Sequence, residues 1–318
     1  MTVSPEDDRD GILAQDGILA NSCPFSKQII DSNGDVECRE LDLKDLQYFE
    51  QIGSGHTCNV FRGTCGGRQV AIKQLSLPPG KISDDVLARE TEIMTLVRHP
   101  NIVRLFGVVT TSSPLQIVME YCAGGSCFDF LHRRPDMKPT WSQMLKMSLH
   151  VAMAMDYLHK FTPCIIHRDL KSLNMLLDQP VQSPRDAPLV KVVDFGLARV
   201  IDTGEAMTLG VGTSRWMAPE MLARQPYNEK VDVYSYGMVL YEICCRKIPF
   251  RKEEPMEMRR MVLSGMRPTL SNIAVQCPPR MRSMINSCWA GKPKDRPSFE
   301  EIVVILRAVS RECVVISL

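Results

Sequence analysis

Around Gly124–Gly125 the chain changes its hydrophobic period, and few folds accommodate that change. Upstream, segments 47–52, 58–64 and 68–75 read as strands, with Gly66–Gly67 as the hairpin turn between the last two. Residues 83–97 read as a helix, which Ser83 can cap and whose positive start suits Asp84 and Asp85. Two further strands are predicted at 102–109 and 115–121. Downstream the pattern is helical, at 140–160, 228–245, 255–264, 278–289 and 298–311. A β-rich part followed by an α-rich part predicts an α+β chain of two lobes, joined near Glu120–Gly125. Between the helices, residues 179–188 carry three prolines and read as an exposed loop or hairpin tip.

Composition excludes several classes of function. A net charge of +1 across 318 residues is no footprint for nucleic acid or a membrane surface. No apolar run approaches the roughly 18 residues that span a bilayer. The acidic start lacks the pattern of a signal peptide, so a cytoplasmic location is expected. The 12 cysteines include one vicinal pair, Cys244–Cys245, and no paired C-x-x-C clusters. They read as reduced, mostly buried thiols rather than a zinc site or a disulfide framework. Residues 1–44 show no sustained period and read as a flexible extension. A near-duplicate, DGILAQ then DGILAN, makes it either a loose tail or a short docking segment.

The chemistry is concentrated in two short stretches, HRDLKSLN at 167–174 and DFG at 194–196. Asp169 is placed to accept a proton from a substrate hydroxyl and to orient its oxygen, and Lys171 to neutralise phosphate charge. Asn174 and Asp194 are hard oxygen ligands suited to Mg²⁺, or Mn²⁺ in its place. Upstream, Gly53 and Gly55 of IGSGHTCNV let backbone approach phosphates closely. Because this loop lies between strands, it is neither a Walker loop nor a Rossmann turn. Lys73 sits in an apolar strand, VAIKQL. Its expected partner is Glu90, on a helical stripe with Val86, Met94 and Val97.

Together these motifs resemble a eukaryotic protein kinase domain over residues 45–311, with an N-lobe at 45–121, a C-lobe at 125–311 and a tail at 312–318. The forms HRDLKSLN, GTSRWMAPE (212–220) and CW…DRPSF (288–299) resemble the tyrosine-kinase-like group, which includes Raf-like and mixed-lineage kinases. The resemblance implies a two-lobed fold, ATP with Mg²⁺, and protein substrates. It assigns Ile52, Gly53, Gly55, Val60, Ala71, Lys73, Met119, Glu120, Cys122 and Leu176 to the nucleotide. Met119 would line the back of the adenine pocket. Glu120 and Cys122 would offer backbone hydrogen bonds, and Cys122 also an accessible thiol. His167 would pack on Phe195, forming a spine with Leu105 and Met94. Asp232 would anchor the catalytic loop, and Arg296 would pair with Glu220. Two positions depart from the family pattern: Thr57 replaces the aromatic at the loop tip and Cys58 replaces the third glycine.

Lys171 and Thr213 imply the serine/threonine form, and Thr213 would contact Asp169. Dual or tyrosine specificity, and a pseudokinase scaffold, are the alternatives. Arg168 would bind a phosphate on the activation loop, with Thr208 the first acceptor and Thr203 and Ser214 next. An upstream kinase, or a second copy acting in trans, would install it.

Overall fold

The computed structural model describes residues 29–30, 36–54, 58–75, 91, 93–112, 114–195, 198–200, 214–273 and 277–316. Seven strands form one sheet: β1 (Ile29–Ile30), β2 (Val36–Glu40), β3 (Leu46–Ser54), β4 (Cys58–Cys65), β5 (Arg68–Leu75), β6 (Leu105–Val109) and β7 (Gln116–Glu120). Their spatial order is β1-β2-β6-β7-β5-β4-β3. Gly66 and Gly67, with φ of 55° and 82°, make the β4–β5 turn that the sequence predicts.

Both faces of this sheet are buried, and strand alternation sorts the residues between them. In β5, Val70 and Ile72 join Val118, Val109 and Leu46 in one cluster. Ala71 and Leu75 join Leu105, Ile117 and Met119 in the main core. Lys73 shares the parity of Ala71 and Leu75, so the alternation itself turns its ammonium towards the helical part. Helical residues 93–96 supply Ile93 and Met94 to the same core, together with Val97 just beyond them. Glu90 and Val86 of that stripe lie outside the described residues.

The reading of 1–44 as a flexible extension is corrected at its C-terminal part. β2 adds in parallel to β6, with Arg39 opposite Gly107 and Glu40 opposite Val108. Glu40 Oε1 accepts from Thr110 N and Oγ1 at 2.7 and 2.9 Å. Leu41, 5 % exposed, closes the outer-face cluster. The near-duplicate at 10–21 lies outside the described residues. The strand predicted from 102 begins at Leu105, because Ile102 and Val103 leave the sheet to meet Val192.

The helices are α1 (Cys127–His132), α2 (Trp141–His159), α3 (Pro219–Leu222), α4 (Lys230–Cys245), α5 (Pro255–Leu263), α6 (Pro279–Cys288) and α7 (Phe299–Ile316). A capping box starts α2: Thr140 Oγ1 accepts from Gln143 N, and Gln143 Oε1 accepts from Thr140 N. Gln143 Nε2 also donates to the carbonyls of Ser183 and Asp186, holding residues 179–188 as the tip between β9 (Met175–Leu177) and β10 (Val190–Val192). Because α7 runs through Ile316, residues 312–316 extend the last helix instead of forming a tail. Among the described residues, no helix is long and apolar enough to cross a membrane.

On α2, buried His150 accepts from Val190 N through Nδ1 at 3.1 Å. Burial disfavours its charged form and pulls its pKa from 6.5 to about 4. A depressed folded-state pKa contributes stability that is present above pH 6.5 and is lost as the pH falls towards 4. Across that window the wild type should lose about 3 kcal/mol more stability than His150→Gln, as urea titrations at each pH would read.

Candidate active site

The loop that follows β8 (Ile165–Ile166) is held from beneath by one carboxylate. Asp232, fully buried on α4, accepts from His167 N and Arg168 N at 2.8 Å each, and from His159 Nε2 at 2.9 Å. The anchoring role expected of Asp232 is therefore present as geometry. The loop backbone is unusual here: Arg168 has φ 66°, and Asp194 has φ 72°. Side chains rarely adopt this left-handed region, and such residues persist only where the surroundings hold them.

On this loop Asp169 is surrounded by its predicted neighbours. Lys171 Nζ lies 2.5 Å from Asp169 Oδ2. Asn174 Nδ2 donates to the same Oδ2 at 3.1 Å and to the Asp169 carbonyl at 2.9 Å. The β9–β10 pairing then brings the second stretch alongside, since Val193 N donates to the Asn174 carbonyl at 3.0 Å. Asp194 follows immediately. Its Oδ1 accepts from Lys73 Nζ at 3.3 Å, across 121 residues of chain. Burial pushes the Asp194 carboxyl up, but the Lys73 ammonium, His167 and Lys171 outweigh it, and its pKa falls below the usual value.

The spine residues expected of an active arrangement are all buried: Leu105, Met94, Phe195 and His167. The His167 and Phe195 rings are 5.3 Å apart and tilted by 56°. His167 Nδ1 accepts from Asp169 N, so Nε2 carries the proton and donates to the Val193 carbonyl at 3.2 Å.

Sheet register assembles the predicted nucleotide residues. Gly53 faces Val60, Val60 faces Lys73, and Ala71 faces Met119. Directly opposed residues share a face, so these line the side of the sheet that carries Lys73. Leu176 bridges to Ser126, while Ile52 is exposed at the rim. Among the described residues nothing requires a glycine at 53, because an added Cβ would meet only Val60 of them, at 3.5 Å. Gly124, where the lobes join, is different: an added Cβ would lie 2.3 Å from the Gln179 carbonyl. Gly55 and Thr57 lie outside the described residues, and Cys58 is half-buried against the main core. The expectation of an accessible thiol at Cys122 is overturned. It is buried, and desolvation pushes its pKa up to about 12.

Of the regulatory residues, Thr203, Thr208 and Thr213 lie outside the described residues. Ser214 opens a 3-10 turn, Ser214–Trp216. Arg168 Nη1 donates to the Tyr227 hydroxyl at 3.0 Å, and Nη2 reaches the Ala198 carbonyl at 3.5 Å. Arg296 and Glu220 form the expected pair, doubly hydrogen-bonded at 2.6 and 2.9 Å and almost fully buried.

Two participants escaped sequence reasoning. Glu242, fully buried on α4, accepts from Ser172 Oγ at 2.8 Å, His132 Nε2 at 3.0 Å and Trp216 Nε1 at 2.6 Å. It therefore ties the catalytic loop to the end of the activation segment. Its signal was available, as a single carboxylate inside the apolar run GMVLYEICC. Lys191 Nζ lies 3.1 Å from Glu120 Oε2 and 2.9 Å from the Pro100 carbonyl, bracing the join between the lobes from behind. Nothing local in the sequence pairs those residues.

A β-rich lobe, a helical lobe and this loop geometry define a protein kinase domain. The family model for protein tyrosine and serine/threonine kinases matches residues 46–306, and the chain belongs to that family. It is 37 % identical over 277 residues to the serine/threonine-protein kinase STY17 of Arabidopsis thaliana, covering 86 % of this chain and 46 % of that protein. It is 38 % identical over 276 residues to the probable serine/threonine-protein kinase drkD of Dictyostelium discoideum, covering 86 % of this chain and 20 % of that protein. The chain spans about half or less of the length of these curated relatives.

Proposed function

We propose that this chain transfers the γ-phosphate of ATP to serine and threonine hydroxyls of protein substrates. The observation that carries the reading is the Asp169 carboxylate held between Lys171 and Asn174, on a loop bonded next to the Lys73–Asp194 pair. Asp169 orients the incoming hydroxyl and takes its proton as the oxygen–phosphorus bond forms. Lys171 offsets charge on the transferred group. Lys73 positions the phosphates from the sheet, with Glu90 as its further partner. Gly53 supports the same reading, since the described residues leave room there for a side chain and a closely approaching phosphate would not.

The residues present suit a magnesium ion. Asn174 spends its Nδ2 on Asp169, which leaves an amide oxygen, and Asp194 supplies a carboxylate held ionised by Lys73. Both are hard oxygen donors, and substrate phosphates ordinarily complete such a site. When bound, the ion neutralises charge that develops between the phosphates. Ile52, Val60, Ala71, Met119 and Leu176 would enclose the adenine, with backbone groups of Glu120 and Cys122 reading its edge.

Lys171 supports serine and threonine over tyrosine, as do the names of the relatives. The test is phosphorylation of a mixed peptide library with Mg-ATP, followed by phosphoamino-acid analysis. Phosphoserine and phosphothreonine are expected, and phosphotyrosine as the main product would overturn the specificity. We also expect phosphorylation at Thr208, by an upstream kinase or in trans, to order the activation segment through Arg168. Thr208→Ala should lower kcat/KM about tenfold, near 1.4 kcal/mol of barrier. Unchanged turnover with an unphosphorylated loop would remove Thr208 from that role, leaving Thr203 or Ser214.

A further inference from the structure

Three separate parts of the helical lobe meet at Glu242. Its Oε1 accepts from Ser172 Oγ at 2.8 Å and from His132 Nε2 at 3.0 Å, and its Oε2 accepts from Trp216 Nε1 at 2.6 Å. The donors belong to the catalytic loop, to the end of α1 and to the 3-10 turn Ser214–Trp216. Glu242 and Ser172 are fully buried and Trp216 is 5 % exposed, so these bonds have no ready exchange with water. Resting on the phosphotransfer reading, we propose that Glu242 is a positioning residue. One carboxylate holds the Lys171 end of the catalytic loop and the Trp216 turn in a single register, so that phosphoryl transfer and acceptor binding are set together.

Ser172 follows Lys171 directly, and Asn174 N donates to the Lys171 carbonyl at 2.9 Å. Fixing the Ser172 hydroxyl therefore fixes the turn that carries both Lys171 and Asn174. Lys171 Nζ in turn lies 2.5 Å from Asp169 Oδ2. Trp216 is held to α4 a second time, since its carbonyl accepts from Ser235 Oγ at 2.8 Å. Removing the indole N–H alone thus leaves the turn attached through its backbone. Because both oxygens belong to one carboxylate, the Ser172 hydroxyl and the Trp216 indole lie within a side chain's width of each other. An acceptor chain that brings its hydroxyl to Asp169 has the turn at 214–216 beside it. The linkage runs in series: loosening either bond frees the carboxylate to shift, and the opposite element loses its register as well. The predicted nucleotide residues Val60, Ala71, Lys73 and Met119 lie on β4, β5 and β7, outside this linkage.

The experiment compares the full chain with Ser172→Ala, Trp216→Phe and the double variant, reading kcat, KM for an acceptor peptide and KM for Mg-ATP. Each single change should lower kcat/KM for the acceptor about fivefold, the scale of one hydrogen bond. The signature is crossed. Ser172→Ala, made in the catalytic loop, should raise the acceptor KM, and Trp216→Phe, made in the activation segment, should lower kcat. KM for ATP should stay at the wild-type value in both. The double variant should lose little beyond either single one, because the first break already releases the register. Ser172→Thr, which keeps the hydroxyl, should restore the wild-type values. A second readout needs no activity: amide hydrogen exchange at 214–217 should quicken in Ser172→Ala, and exchange at 171–174 in Trp216→Phe. Independent losses that multiply to about 25-fold in the double variant would overturn the linkage. So would wild-type exchange rates in the element opposite the change. Ser172→Ala, which deletes a single oxygen, decides the matter by exchange even where Trp216→Phe fails to fold. A wild type that transfers no phosphate to any acceptor would sink the kinase reading instead, and the exchange rates would still decide the linkage.

Discussion

Asp194→Asn should lower kcat/KM for phosphate transfer by about 10³, near 4 kcal/mol of transition-state stabilisation. The substitution keeps the side chain's shape and removes one charge. It removes the ionised oxygen donor and half of the Lys73–Asp194 pair. Asp194 is held ionised, by Lys73 first, so the wild type presents that charge to the phosphates at neutral pH. The side chain is also 43 % exposed, so its loss should move the thermal midpoint little. Transfer from Mg-ATP to a generic acceptor peptide, measured beside the melting curve, separates a chemical defect from a folding defect. Residual transfer within tenfold of the wild type would mean that the carboxylate is not what holds the ion.

The second large effect falls on stability. Arg296→Met should cost about 3–5 kcal/mol, because Glu220 would be left as a buried, unpaired carboxylate. Arg296 is itself fully buried and also donates to the carbonyls of Ala290, Lys230 and Gly291. At least three acceptors lose their donor together with the charge partner. A drop of roughly 10 °C in melting midpoint is the corresponding reading for a domain of this size. The double variant Arg296→Met with Glu220→Leu should recover part of the loss, since two apolar side chains demand no desolvation of charge. A double variant no more stable than Arg296→Met would instead place the cost in the lost backbone contacts.

What was legible in the sequence was local. The strand at 68–75 could be read because Val70 and Ile72 alternate with Ala71 and Lys73, and the folded sheet sends these pairs to opposite faces. The chemistry could be read because Asp169, Lys171 and Asn174 lie within five residues, where loop geometry alone brings them together. β2 was not legible. The strand that joins it to the rest of the sheet, β6, is nearly seventy residues away, and a parallel pairing leaves no hairpin turn to announce it. Cys122 was misjudged for a related reason: exposure depends on what packs over a residue, which local composition does not report.

By itself, then, the sequence determined the order of lobes, the identity of the acid, cation and oxygen donors, and the family to which they belong. Those depend on side-chain chemistry and short spacing, both written into neighbouring residues. Only the tertiary structure decided which distant group each of them meets: Lys73 with Asp194, Asp232 beneath His167 and Arg168, and Glu242 between Ser172 and Trp216. Those partners are chosen by burial, because a charge or donor removed from water takes the polar group that packing brings within reach.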